Sequence, residues 1–146
     1  MPNIFEPHQT QMDQRYTLVR DDLRFHQEKA FLEHLWESFE PFADPDFKSE
    51  LAKQFHPRFW EMYLACTLIE LGFNLIPRQC SYGPDIHIEL DGINIWIEAT
   101  APDAGSGIDA VPGHPKNSNG IKVPEEQIIL RLTNSIDKKT KNIENI

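Results

Sequence analysis

The sequence predicts an α/β fold: a helix, a three-stranded mixed or antiparallel sheet and a closing helix, preceded by an N-terminal helical cap. Three observations carry this. Asp91-Gly92 sits between two runs of alternating hydrophobic and polar residues, the strongest short-range signal for a hairpin with a two-residue type I′ turn. A nearly continuous apolar segment runs from Pro57 to Leu71, with proline at its start and Gly72 just past its end. A last segment repeats apolar residues at helical spacing, Ile128, Ile129, Leu132 and Ile136, behind Pro124.

The turn fixes a register. It sets Leu90 against Ile93, Glu89 against Asn94, Ile88 against Ile95, His87 against Trp96, Ile86 against Ile97 and Asp85 against Glu98. One face then carries Ile86, Ile88, Leu90, Ile93, Ile95, Ile97 and Ala99. The other carries Asp85, His87, Glu89, Asn94, Trp96, Glu98 and Thr100. Directly opposed residues have Cβ atoms roughly 4.5–5.5 Å apart, and like charges placed so repel. Two carboxylates held that close need a cation, a shared proton or open water. Open water makes the polar face an ordinary solvated surface; a divalent cation, which takes carboxylate oxygens, makes it a site.

Taken in order, residues 1–14 are polar and read as loose. From Gln14 to Phe39 the pattern is helical, with Phe31, Leu32, Leu35, Trp36 and Phe39 on one stripe, and Pro41 closes it. Asp44-Pro45 reads as an N-cap and first helical residue, with Phe47, Leu51 and Phe55 four apart behind them. Residues 1–56 thus form a helical extension on a core spanning 57–146. The helix from Pro57 is apolar nearly all round and is expected to be buried. Glu61 lies inside it; it sits either on a narrow exposed stripe, against Arg58 one turn back, or in a site. Phe73 to Arg78 reads as a short strand ended by Pro77, and the apolar hairpin face is expected to pack on the helix before it. Ala101 to Val123 holds four of the seven glycines and three of the eleven prolines, a long loop beside the hairpin's base that includes His114 and Lys116. In the final helix Glu125 and Glu126 suit the first turn, and Lys138, Lys139 and Lys141 suit the last.

The chain of 146 residues is 40% hydrophobic, enough for a core. No apolar run approaches the ~20 residues of a membrane span, and the N-terminus lacks the pattern of a signal peptide. Cys66 and Cys80 give neither a disulfide framework nor zinc spacing, and read as small hydrophobes in a reducing cytoplasm. His26, His34 and His56 lack ligand partners at useful spacing and read as surface or boundary residues. The net charge is −9. Residues 57–100 carry two basic and six acidic side chains, and the only local basic run is Lys138 to Lys141, so tight duplex binding by charge alone is disfavoured.

With Glu61 on the first core helix, Pro84-Asp85 opening one strand and Glu98-Ala99-Thr100 closing the next, residues 57–140 resemble the PD-(D/E)XK nuclease superfamily, the restriction-endonuclease-like fold. The resemblance implies that Asp85 and Glu98 bind Mg²⁺ or Mn²⁺, that the Ala99 carbonyl adds a ligand, and that Glu61 is a further metal or water ligand. It implies hydrolysis of a phosphodiester in DNA or RNA, with the metal lowering the pKa of a bound water. Thr100 stands where the family has its catalytic lysine. A hydroxyl carries no charge, so the substitution removes an electrostatic term. Lys116, Lys122, Arg131 or Arg78 could supply a cation instead, and Gln127 could orient water. The family's core continues with a strand after the last helix, and none is visible here, which reads as a truncated product, a fragment or a minimal variant. Two function classes follow: a metal-dependent nuclease, or a degenerate, non-catalytic member that binds nucleic acid or protein. A third is an interaction module whose acidic hairpin face is simply solvated.

Overall fold

The computed structural model describes residues 3–7, 11–79, 83–108, 110–112 and 123–143. Cys80, His114, Lys116 and Lys122 lie outside them, as does most of the second half of the loop from Ala101 to Val123. The described residues form a mixed α/β structure: α1 (Gln14–Asp21), α2 (His26–Phe39), α3 (Phe47–Lys53), α4 (Phe55–Glu70), β1 (Asn74–Leu75), β2 (Ile86–Leu90), β3 (Ile93–Ile97) and α5 (Glu125–Ile143). The chain divides into two compact units, Met1–Ala99 and Thr100–Ile146.

In the first unit the strands form one antiparallel sheet in the order β1-β2-β3. The hairpin register is the expected one at every paired position, from Leu90 opposite Ile93 to Ile86 opposite Ile97. Asp91 has φ +52° and Gly92 φ +77°, the two left-handed residues that a type I′ turn requires. β1 is shorter than Phe73–Arg78. Asn74 and Leu75 pair with Glu89 and Ile88, and Ile76 adds one more bond by donating its N–H to the His87 carbonyl. Pro77 has no N–H with which to continue.

The helices differ from the sequence expectation in where they break. The stretch from Gln14 to Phe39 is two helices. Asp22 is extended (φ −92°, ψ 120°), and its carboxylate accepts the Arg24 N–H, capping a short 3-10 turn that leads into α2. Asp44 does not start α3 as a cap. Its Oδ1 accepts the Asp46 N–H and its carbonyl the Phe47 N–H, a turn that delays the helix to Phe47. α4 begins at Phe55, two residues before Pro57.

Ile4 and Phe5 are a correction to the reading of residues 1–14 as loose. Both are buried, the Phe5 ring meets Tyr16 at 5.5 Å, and the Glu6 N–H donates to the Tyr16 hydroxyl at 2.6 Å. They join a core with Tyr16, Leu32, Leu35, Trp36, Phe39, Phe47, Leu51, Met62, Ala65, Cys66, Leu75, Ile86 and Ile88. The N-terminal helices and the hairpin therefore share one core with α4. Two further expectations hold only in part. Trp60 and Tyr63 leave α4 with an exposed face, and Leu90 and Ile93 stay exposed at the hairpin tip although they lie on its apolar face.

In the second unit, Pro124 precedes α5, with Glu125 and Glu126 in its first turn. Ile129, Leu132 and Ile136 of its apolar stripe are exposed. The Arg131 guanidinium ties the segment after Thr100 to α5, donating to the Asp103 carboxylate at 2.8 Å and to its carbonyl at 3.2 Å.

The burial pattern along the hairpin has a direct test. Ile88→Ala, at the buried end, should cost about 2–5 kcal/mol. Ile93→Ala, 64% exposed on the same face, should change stability by less than about 0.5 kcal/mol. Urea unfolding of the two variants measures both, and equal losses would mean that the tip is packed as tightly as the base.

Candidate functional site

α4 has little freedom at Glu61. Met62, Ala65 and Cys66 face the core, and Glu61 is carried inward beside them, 3% exposed. A carboxylate so placed needs partners. Arg58, one turn earlier on α4, donates from Nη1 to Glu61 Oε2 at 2.7 Å. Arg78, just past β1, donates from Nη1 to Glu61 Oε1 at 3.4 Å. The same two guanidiniums reach Asp44 Oδ2, Arg58 at 3.3 Å and Arg78 at 3.5 Å. The Asp44 side chain is fully buried and that of Arg78 nearly so.

Asp85 adds the hairpin to this cluster. Its carbonyl accepts from Arg78 Nη1 at 3.4 Å, and its Oδ2 accepts the Ala99 N–H at 2.8 Å. That second bond crosses the base of the hairpin beyond the last paired residues, Ile86 and Ile97, where the regular pairing has ended. Glu98 is half-buried and Ala99 buried. Thr100 opens the second unit. Glu61 and Asp85 are thus brought together, with Ala99 bonded to Asp85. Of the four candidate cations Arg78 stands among them, and Arg131 is bonded to Asp103 in the second unit.

Charge bookkeeping explains the electrostatics. Two carboxylates, Asp44 and Glu61, pair with the two guanidiniums, and the Asp85 charge acts on both Glu61 and Arg58. Burial raises the Glu61 pKa most, the Arg58 charge lowers it, and the Asp85 charge raises it again; the result is a carboxyl pushed up to about 7. Burial works to lower the pKa of Arg58, but Glu61, Asp44 and Asp85 more than offset it and raise that pKa. Elsewhere, burial pushes the Cys66 thiol up to about 11, and its Sγ donates to the Leu35 carbonyl at 3.3 Å, a packed and unreactive cysteine.

Among the described residues no group of three or more histidine, cysteine, aspartate or glutamate side chains lies close enough to hold a metal ion. The positive observation is more telling. Both oxygens of Glu61 accept from arginine. Two guanidiniums beside Glu61 set positive charge against it, which disfavours a divalent cation at that carboxylate.

Sequence reasoning named Glu61, Asp85, Glu98 and, as one alternative for Glu61, the pairing with Arg58. It missed Asp44, whose Asp-Pro context signals a turn and carries no hint of a partner fourteen residues on. On the outer face of the hairpin the His87 and Trp96 rings stack, with centroids 3.6 Å apart and planes 17° from parallel, and His87 Nε2 lies 2.8 Å from Asn94 Oδ1. That pair follows from the register. No family model, no curated protein and no solved structure matches the chain.

The Glu61 carboxyl gives a pH prediction. Its folded pKa, about 7, lies above the ordinary value of 4.5, so the folded state holds more protons between the two. Its contribution to stability is full below pH 4.5 and is lost as pH rises through 7. The melting temperature of the wild type relative to Glu61→Gln should therefore fall across that window. A difference that stays constant would show that Glu61 is already ionised throughout.

Proposed function

We propose that this chain is a non-catalytic derivative of the PD-(D/E)XK fold that serves as a binding module. The observation that carries the reading is the pairing of Glu61 with Arg58 and Arg78. Clustered carboxylates require positive charge, and here arginine supplies it from within the fold. The order of helix, strand, hairpin and helix, with Asp85 at the hairpin's base beside Glu61, supports descent from the nuclease architecture. Thr100 in place of the lysine supports the loss of chemistry, because the hydroxyl directly after Ala99 carries no charge to stabilise a phosphorane-like transition state. What remains for function is the outward face of the hairpin. It is acidic and carries an exposed aromatic side chain, which favours a protein partner over a polyanion.

A second reading, metal-dependent phosphodiester hydrolysis of DNA or RNA, is favoured by one observation. Asp85 lies close enough to Glu61 to raise its pKa, and carboxylates that perturb one another mark many catalytic sites.

Two measurements separate the readings. A ligand that binds only the folded state stabilises it by RT ln(1 + [L]/Kd), about 2.7 kcal/mol at a hundredfold excess over Kd. Millimolar Mg²⁺ or Mn²⁺ should leave the melting temperature of the wild type unchanged, and Mn²⁺ should produce no cleavage of single-stranded DNA, double-stranded DNA or RNA. A rise in melting temperature that Asp85→Asn abolishes, together with cleavage, would replace the binding reading with the nuclease one.

A further inference from the structure

β3 is the outer strand of the sheet among the described residues, and its surroundings specify what could lie against it. Its two faces differ. On one, Ile93 is 64% exposed, Leu90 beside it on β2 is exposed, and Ile95 and Ile97 are half-buried. On the other stand Asn94 and Trp96, with Glu98 just past the strand's end. Trp96 is 59% exposed. Its ring is held in place by His87 on the β2 side, and β3 has no described strand on its other side, so the second face of the indole borders the open flank.

The exposed charge at the hairpin tip, Glu89 and Asp91, is acidic. Arg58 and Arg78 are the only basic residues between 57 and 100, and both are committed to the buried cluster. The hairpin itself presents Glu89 and Asp91 at its tip and Glu98 at its base. An outer strand with exposed apolar side chains is a template for pairing with another chain.

We propose that β3 accepts an extended, basic segment of a partner protein as an added strand. The segment alternates apolar residues with arginine or lysine. Its apolar side chains lie on Ile93, Ile95 and Ile97; its cations lie on the other face, one over the Trp96 indole and others towards Glu89 and the acidic hairpin tip. Main-chain hydrogen bonds to β3 supply affinity that any strand would share, and the alternation supplies specificity. The cation over the indole adds an interaction best made by a guanidinium. This rests on the reading of the hairpin as a binding surface and names the partner's chemistry.

The test uses the full chain and three synthetic peptides of about eight residues, close to the usual length of a strand: alternating arginine and valine, alternating glutamate and valine, and the arginine peptide with every backbone nitrogen methylated, so that neither edge can donate. Fluorescence anisotropy should show binding of the first alone, weaker at high salt. Trp96→Ala should weaken that binding about three- to thirtyfold, and Trp96→Phe should restore part of it. Trp96 is exposed, and an unchanged melting temperature confirms that the variant is folded. No binding of the arginine peptide, equal binding of the methylated one, or indifference to Trp96→Ala overturns the proposal. So does Trp96-dependent binding of single-stranded oligothymidylate in preference to the peptide, which would make the flank a base-stacking platform. Metal-dependent cleavage together with peptide binding would overturn the non-catalytic reading and leave this surface standing. Absence of both would remove this surface alone.

Discussion

Asp44, Arg58, Glu61, Arg78 and Asp85 come from a turn, one helix, the end of a strand and the foot of a hairpin, and the first unit is arranged so that they meet. Each is a poor choice for a buried position taken singly. A buried carboxylate or guanidinium loses several kcal/mol of solvation, recovered only with close and well-directed partners. Together they tie four elements to one another beside the apolar core that those elements share. β1 has two residues, too few to position the sheet against α4, and Arg78 just beyond it reaches Glu61 on α4, Asp44 before α3 and the carbonyl of Asp85 before β2. Glu61 is the acid whose burial and whose neighbour Asp85 both resist ionisation.

Local signals in the chain were strong where local geometry decides the outcome. The Asp91-Gly92 turn needs two positive φ values and a two-residue loop, and no distant contact can substitute for these. The entire pairing of β2 with β3, and with it the stacking of His87 on Trp96, follows from that dipeptide. Helix breaks were less legible. Nothing in the apolar spacing of residues 14–39 marks Asp22, because a side-chain cap and an extended backbone can interrupt a helix without disturbing the stripe on either side. Ile4 and Phe5 were hidden for a different reason. Two apolar residues among polar ones give no period, and only the groove beside Tyr16 makes them core.

The candidate site divides in the same way. The pairing from Leu90–Ile93 to Ile86–Ile97 followed from the register, and Arg58 as the partner of Glu61 followed from helix spacing. Asp44 and the position of Arg78 depend on packing between distant segments, which no spacing rule reaches. That difference matters for the chemistry. From the carboxylates alone the cluster asks for a cation, and a metal is the natural candidate. With the arginines in place, Glu61 and Asp44 find their counter-charge inside the protein.

The claim that arginine balances these acids is tested most directly by a double-mutant cycle on Arg58 and Glu61, joined at 2.7 Å. Arg58→Met, Glu61→Met and the double variant would be unfolded in urea at a pH above about 7, where Glu61 is ionised. Removing either partner alone leaves a buried charge without its closest counter-ion and should cost about 3–5 kcal/mol. The double variant should lose clearly less than the sum, since both charges go together. Losses that simply add would contradict the account, because the two residues would then be stabilising the fold independently of one another.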